Sequence, residues 1–513
     1  MLREYSPVVL EGLLAILSVK NLIYVALATA GGLAIGALPG LTATMGVALL
    51  VPLTFTMGPI SGLAVLGAIY MSAIYGGCFS AILINTPGTP GSIATAFDGY
   101  PMAKKGEGDK AIFAATYASM IGGLLSLVAL FFLSPPLARV ALKFGPPEYF
   151  WLAIFGMTVI SSLGEGSVIK TFLSGGIGLV LSCIGVTRMG GELRFGFGWH
   201  ELQGGIELVA ALIGLFCIPE ALNFMGMSGS SIYDVAFVKK KKGLWFSYIR
   251  EFWGTRVTLI RSTLIGIIIG ILPGAGGTIA NVVAYNDAKT YSKKKGFGKG
   301  IMDGVVAPES ANNATVGGGL IPTLTLGVPG TPVDAIILGA LMLHSLQPGP
   351  QLFQKSGVVV YSFMWALVIS TLMMGVIGLS IGVATYRAVS KVPTRYLAPT
   401  IIFLSIIGSY ALRNSMADVW MMLALGLIGY GFRMLGMSTS AAVLGLVLGQ
   451  ICEEGLVQAS ILSQASSFYR VFFLRPISAL LILLSILTFF WPVIASLLAK
   501  RRSRKEDHER AKG

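Results

Sequence analysis

Long apolar runs, separated by short polar intervals, recur along the whole 513-residue chain. They include Ala111 to Leu133, Ile169 to Val186, Ile206 to Leu222, Val358 to Ala384, Tyr396 to Leu412, Trp420 to Tyr430 and Ile477 to Leu498. The runs are continuous rather than alternating, which predicts helices and argues against the strands of a membrane barrel. Several reach the roughly 20 residues that a bilayer-spanning helix needs. The pattern predicts an all-α polytopic membrane protein.

Inside this apolar sequence, two helix-breaking phrases each occur twice, in the same order. A ladder of glycines runs into Leu-Pro-Gly at Gly32, Gly36 and Leu38-Pro39-Gly40, and again at Gly266, Gly270 and Leu272-Pro273-Gly274. Pro-Gly-Thr-Pro stands at Pro87 to Pro90 and again at Pro329 to Pro332. The first pair lies 234 residues apart and the second 242, so one offset nearly serves both, as a duplicated unit requires.

Charge gives the duplication a direction. The net charge of +14 is concentrated in short loops and at the C-terminus, at Lys104-Lys105, Lys239 to Lys242, Lys289 to Lys299, Arg387 to Arg395 and Lys500 to Lys505. That is the distribution expected of cytoplasmic loops, not of a nucleic-acid-binding face, and it predicts a cytoplasmic C-terminus. The segment around 262–288 has basic residues on both sides, so it should enter and leave on one side as a re-entrant hairpin turning at Leu-Pro-Gly. The stretch 22–55 is its expected counterpart. One unit then comprises a hairpin, one broken crossing and four helices. Five crossings are odd, so the second copy must start on the opposite face, as an inverted repeat with broken helices. The expected organisation is an N-terminal amphipathic or spanning segment (1–21), a first repeat (22–224), a polar and basic linker (225–255), a second repeat (256–451), an additional C-terminal transmembrane helix (452–499) and a basic cytoplasmic tail (500–513).

Composition agrees. The chain is 54% hydrophobic and 12% charged, against about 25% charged in soluble domains. Its 66 glycines would weaken helices in water but favour close helix packing in a bilayer. The first apolar stretch holds Glu11 and shows no small-residue cleavage site, so no cleavable leader is expected. The four cysteines are scattered without metal spacing and read as apolar filler.

The breaks are where chemistry is expected. In Asn85-Thr86-Pro87-Gly88-Thr89-Pro90 the prolines remove helical N–H donors and free carbonyls inside the membrane. Oxygens of Asn85, Thr86 and Thr89 surround that break, and a hard cation prefers such ligands. A helix restarting after the break points its positive end back at it, which suits an anion. Pro329, Gly330 and Thr331 repeat the arrangement, with Asp334 just beyond. Sodium is expected at Asn85, Thr89 and Thr331. The hairpin tips contribute Pro39, Gly40, Thr42 and Thr44 in the first copy, and Pro273, Gly274, Gly276 and Thr278, with Asn281 following, in the second. Glu309, Asn312 and Asn313 stand before the second break as supporting polar residues; Glu309 and Asp334 are intramembrane acids, functional candidates on that ground. Asp98, Asp303 and Glu220 read as capping or interfacial groups, and His200 and His344 as solvated loop residues.

No enzyme is expected. Gly378-Leu379-Ser380-Ile381-Gly382 matches a nucleophile-elbow pattern but lies within an apolar run without a strand, and no Walker A sequence is present.

Three stretches resemble a known family: Gly36 to Ala43; Tyr75-Gly76-Gly77 through Asn85-Thr86-Pro87-Gly88-Thr89-Pro90 to Asp98-Gly99-Tyr100-Pro101-Met102-Ala103; and Ala307 to Asn313 through Gly327 to Pro332 to Gln347-Pro348-Gly349-Pro350. Together they resemble the large membrane subunit, TctA, of tripartite tricarboxylate transporters. The resemblance implies an elevator-type secondary transporter in the bacterial inner membrane. It would be driven by sodium ions or protons, with no other cofactor. Its implied partners are a small TctB-like membrane subunit and a TctC-like periplasmic solute-binding protein that delivers an organic carboxylate. A passive channel or an exporter with the same fold is the alternative.

Overall fold

The computed structural model describes residues 2–163, 167–187, 190–226, 245–292, 294–389 and 394–490. The lysine run at 239–242, Lys293 and the basic tail at 500–513 lie outside the described residues. The chain is helical almost throughout. In order come α1 (Leu2–Ile16), α2 (Val19–Ala37), α3 (Ala43–Phe55), α4 (Pro59–Ile84), a 3-10 turn at Pro90–Ser92, α5 (Ile93–Lys104) and α6 (Gly108–Ala141). Then follow α7 (Pro146–Leu163), α8 (Val168–Ser182), β1 (Gly185–Val186), β2 (Leu193–Arg194), a 3-10 turn at His200–Gly204 and α9 (Leu208–Gly226). After the linker come α10 (Trp245–Trp253), α11 (Arg256–Ile271), α12 (Gly276–Tyr291), α13 (Asp303–Leu326), α14 (Pro332–Leu343) and α15 (Pro350–Lys355). The last stretch is α16 (Gly357–Ile377), a π turn at Gly378–Gly382, α17 (Val383–Val389), α18 (Thr394–Arg413), α19 (Met416–Met434), α20 (Thr439–Gln464), α21 (Phe468–Phe473) and α22 (Pro476–Phe490). The two strands form one antiparallel pair with Gly185 opposite Arg194.

Among the described residues, seven helices are long and apolar enough to cross a membrane: α2, α4, α6, α9, the α16–α17 run, α18 and α20. The protein is a multi-pass helical membrane protein.

The chain divides into two compact units, each built from both halves of the sequence: Met1–Leu142 with Ile206–Arg433, and Lys143–Gly205 with Met434–Gly513. The first contains both hairpins and both broken segments. There α2 and α3 turn at Pro39-Gly40 and pack on α4, and α11 and α12 turn at Pro273-Gly274 and pack on α13. The glycine ladders make this possible. A Cβ on Gly32 would collide with the Ile69 backbone and one on Gly36 with the Ala73 backbone. In the second copy Gly266 meets Ala311 and Gly270 meets Thr315 and Gly318. These helices approach backbone to backbone, as small residues allow. In the same unit α1 lies along α16: the Ser362 hydroxyl donates to the Gly12 carbonyl at 3.0 Å and the Trp365 indole N–H to the Val9 carbonyl at 3.2 Å. Helix α10 rests on the start of α6, where the Tyr248 hydroxyl donates to Asp109 at 2.9 Å and Lys110 pairs with Glu251 at 2.8 Å. Burial and the Asp109 carboxylate push the Tyr248 phenol up to about 12.

In the second unit α20 packs against α7 and α8, with Gly178 against the Ala442 backbone and Gly445 against that of Gly175. Glu148 is its buried clamp, taking Arg475 at 2.7 Å, the Gly145 N–H at 2.8 Å and the Ser478 hydroxyl at 3.0 Å. The helix expected to end near residue 451 runs on to Gln464, so the boundary drawn between 451 and 452 falls inside α20. Within that continued helix Glu453 pairs with Arg194 at 2.5 Å.

The ladder packing predicts a sharp contrast. Gly36→Ala should lower the unfolding temperature in detergent, at a cost of about 1–3 kcal/mol for overpacking. Gly31→Ala, whose Cβ meets nothing within 4 Å, should leave it unchanged or raise it. Equal behaviour of the two variants in a thermal melt would contradict this packing.

Candidate functional site

Both breaks are built by one set of backbone contacts. Helix α4 ends at Asn85 in the left-handed conformation (φ 57°), and α13 ends at Gly327 in the same conformation (φ 71°). Asparagine tolerates these dihedrals better than other non-glycine residues, so Asn85 serves as the helix end, and its side chain is exposed. Beyond the first end, Gly88 lies against the Gly36 carbonyl and the Gly77 Cα, and its N–H donates to the Gly77 carbonyl at 3.3 Å. Beyond the second, Gly330 lies against the Gly270 carbonyl and the Gly319 Cα. The Gly330 carbonyl accepts from the N–H of Gly274, at the tip of its own hairpin, at 2.8 Å. Each break is therefore seated on a ladder glycine of its own hairpin and a glycine of its own helix. A side chain at Gly88 or Gly330 would push the loop off that seat.

The helices restart differently in detail. Thr89 is extended and leads into the 3-10 turn, where the Ser92 hydroxyl donates to the Thr89 carbonyl at 2.9 Å and the Gly77 carbonyl at 3.1 Å. Thr331 caps α14 directly, its hydroxyl accepting from the Asp334 N–H at 3.1 Å. Thr42 caps α3 in the same way through the Met45 N–H at 3.2 Å. Pro39, Gly40 (φ 91°), Gly274 (φ 81°) and Gly276 (φ 52°) make the hairpin turns, while Thr44 and Thr278 are half-buried on the helices that follow. Thr86 is half-buried, its hydroxyl turned to the Ile84 carbonyl at 3.4 Å; Pro87 is half-buried and Pro329 and Pro273 buried.

Side chains then cross between the halves. Tyr70, on α4, reaches the second break, with its hydroxyl 3.0 Å from that of Thr331. Asn281, on α12, donates its amide to the carbonyl of Gly91 at the first break. Asn312, on α13, lies between Gly91 and Gly277 and turns its N–H2 to the Ile74 carbonyl at 3.5 Å. Asn313 turns its own to the Met71 carbonyl at 3.3 Å. These amides spend their donors on backbone carbonyls, one at the first break and two along α4, which leaves Asn281 Oδ1, Asn312 Oδ1 and Asn313 Oδ1 buried without a partner, together with Thr89 Oγ1 and both oxygens of Asp334. Buried acceptors without donors are rare, and such oxygens are suited to a ligand that supplies positive charge. Among the described residues, no three His, Cys, Asp or Glu side chains gather as a metal site. The available ligands are hydroxyls, amides and one carboxylate, a donor set for an alkali cation rather than a transition metal.

The other acids have partners. Glu309 is fully buried, with the Thr95 hydroxyl at 2.5 Å on one oxygen and the Ser119 hydroxyl at 2.9 Å on the other. Asp98, read from the sequence as a near-loop residue, is wholly buried. It accepts from the Tyr285 hydroxyl at 2.8 Å and from the N–H groups of Gly300, Gly298 and Ile301 at 2.7, 2.9 and 3.0 Å. It thereby ties α5, which follows the first break, to the loop leaving the second hairpin. Asp303 is buried against Lys294 at 2.6 Å and the Thr258 hydroxyl at 2.9 Å, and Glu220 pairs with Arg433 at 2.7 Å. His344, expected in solvent, is half-buried near Phe55 and Gly62, and this burial lowers its pKa.

Tyr70, Asp98 and Tyr285 were not singled out as site residues by the sequence; the only signal was a polar side chain within an apolar or glycine-rich segment. Of the expected sodium set, Asn85 is exposed, Thr89 belongs to the first break and Thr331 to the second.

The family model of the tripartite tricarboxylate transporter TctA family matches residues 22–444, a span that includes both hairpins, both breaks and all the crossing side chains. The chain belongs to the TctA family. It is 37% identical over 476 residues to an uncharacterized 52.8 kDa protein in the TAR-I ttuC' 3' region of Agrobacterium vitis, covering 93% of each chain. It is also 33% identical over 237 residues to an uncharacterized protein in the TAR-II ttuC' 3' region of the same organism, covering 46% of this chain and 97% of that one. No solved structure matches. Membership of the TctA family makes the protein a transporter subunit, and at its breaks Thr89 Oγ1 and both Asp334 oxygens are buried polar atoms without a partner.

The Asp98 tie is testable by itself. Asp98→Ala leaves a phenol and three backbone N–H groups without their acceptor, at a cost of at least about 2 kcal/mol. Trypsin should then cut at Lys299 faster than in the parent protein, with the unfolding temperature lowered; unchanged cleavage would show that the loop is held by other contacts.

Proposed function

We propose that this TctA-family chain is the large permease subunit of a tripartite, cation-gradient-driven secondary transporter. It takes up tricarboxylates or related organic carboxylates across the bacterial inner membrane. Its partners are a small TctB-like membrane subunit and a TctC-like periplasmic protein that presents the carboxylate. The observation that carries this reading is the pair of matched breaks in one compact unit, with buried oxygens left unpaired around them. In ion-driven transporters, broken helices of inverted repeats place ions and substrate near the midplane in this manner. The two halves are read as an inverted repeat, with the C-terminus in the cytoplasm. The helix starts at Pro90 and Pro332 face the substrate carboxylates, and Thr89 and Thr331 face the coupling ion, sodium or a proton. On the elevator reading, the unit with the hairpins and breaks moves as a body and carries the site with it. The tie from Asp98 to Gly298, Gly300 and Ile301 favours joint motion of the two halves within that unit.

Reconstitution with the two partners tests this directly. Labelled citrate or another carboxylate should accumulate only with the binding protein present and an ion gradient imposed. Passive flux without either would establish the channel alternative. Thr331→Ala should raise the cation concentration needed for half-maximal uptake severalfold. Asn85→Gly should transport normally, because Gly327 does the same backbone work in the other half; loss of uptake in that variant would return the Asn85 side chain to the site.

A further inference from the structure

The two breaks share a backbone but not a chemistry. Counting along the repeat, Ser92 occupies the place that Asp334 holds in the second copy, and Tyr70 the place of Asn312. Ser92 closes the first break on itself, through its bonds to the Gly77 and Thr89 carbonyls. Asp334 does the opposite. It is wholly buried, Gly319 and Gly330 lack side chains where its carboxylate lies, and neither oxygen has a hydrogen-bond partner. The hydroxyls of Tyr70 and Thr331 bond each other beside it. No Lys, Arg or His among the described residues forms an ion pair with it, whereas Asp303, Asp418 and Glu148 each have one.

A buried carboxylate without donor or counter-charge costs several kcal/mol, which the fold must offset or a ligand must remove. A proton would neutralise it, with the resulting O–H donating to the Tyr70 or Thr331 oxygen, but it would leave the second carboxylate oxygen without a partner. An alkali cation meets both carboxylate oxygens at once and draws in the two neighbouring hydroxyl oxygens. We infer that the second break holds an alkali-cation site with Asp334 as its charged ligand and Tyr70 and Thr331 as neutral ligands, and that the first break has no charged counterpart. This deepens the transporter reading and rests on it only for the claim that the ion is released and rebound in each cycle. The coupling ion is then an alkali cation carried at one break, and the two halves contribute unequally: α4 of the first half reaches across to complete a site centred on the second.

The test is a binding measurement on the purified full-length chain and needs no transport. Thermal unfolding in detergent is followed while sodium chloride replaces choline chloride at constant ionic strength, with potassium chloride as a second series. A ligand bound only by the folded state raises the melting temperature by mass action. The parent protein should show a saturable rise with sodium. Asp334→Asn, which keeps the shape and removes the charge, should lose that rise and, in choline chloride, melt at or above the parent. Tyr70→Phe removes one neutral ligand and should raise the sodium midpoint threefold or more; it carries the test alone if Asp334→Asn fails to accumulate. The inference is overturned if the parent shows no alkali-cation dependence, if its stability follows pH alone, if Asp334→Asn keeps the parent's sodium response, or if Tyr70→Phe keeps the parent's midpoint. Sodium-dependent melting without carboxylate uptake in the reconstituted system would instead refute the transporter reading and leave the ion site standing.

Discussion

Every residue of α13 from Asp303 to Thr325 is buried, and that helix carries Glu309, Ser310, Asn312, Asn313 and Thr315 along its length. A polar helix in a membrane protein cannot leave such groups against hydrocarbon, so protein must cover it on all sides. Its neighbours supply what it requires. Glycines on α6 and α11 let their helices close on its backbone, Ser119 and Thr95 donate to Glu309, and α4 offers the Met71 and Ile74 carbonyls to the asparagine amides. The arrangement of the unit around α13 follows from that one demand. Hydropathy alone does not find this helix among the spanning segments, because what makes it stable at membrane depth is its neighbours.

The same constraint explains why hairpin and break come as a pair. Interrupting a helix frees backbone groups that water cannot reach, and each group must be met locally. Gly274, at a hairpin tip, donates to Gly330 in the break, and Asn281, just beyond the same tip, donates to Gly91 in the other break. The second hairpin is thus a donor for both interruptions, and glycines at the seats let it come close enough. Removing either partner would leave a buried carbonyl unmet, at about 1–3 kcal/mol each.

Much of this was legible in the sequence because it is written in backbone requirements. Leu-Pro-Gly and Pro-Gly-Thr-Pro name their own dihedrals, so the hairpins, the breaks and the duplication could be read from spacing. The family followed from the same phrases. What was not legible depends on side chains meeting across long separations. Tyr70 sits in an apolar run and reads as core until α14 arrives beside it. Asp98 reads as an interfacial acid until the loop from Gly298 to Ile301 folds over it. At Asn85 the sequence drew attention to the side-chain oxygen, and the structure adds a second role, the left-handed backbone that ends α4.

Duplication gives two copies of a geometry, but it does not oblige them to keep the same charge. The backbone seats cannot diverge, since any side chain at Gly88 or Gly330 would strike Gly36 or Gly270. The side chains aimed at the seats are free to change provided each buried group is met. Ser92 is met by two carbonyls and Glu309 by two hydroxyls, so neither asks for a ligand. The Asp334 carboxylate has the Tyr70 and Thr331 hydroxyls beside it but no hydrogen bond to either oxygen. A second acid at the place of Ser92, without donors of the kind that meet Glu309, would add a further uncompensated charge to a low-dielectric interior. With the acid in one copy alone, the first break keeps only neutral oxygens and the helix start at Pro90. On this reading the symmetric backbone supplies the position of the site, and the asymmetry of a few side chains decides which ligand each half receives.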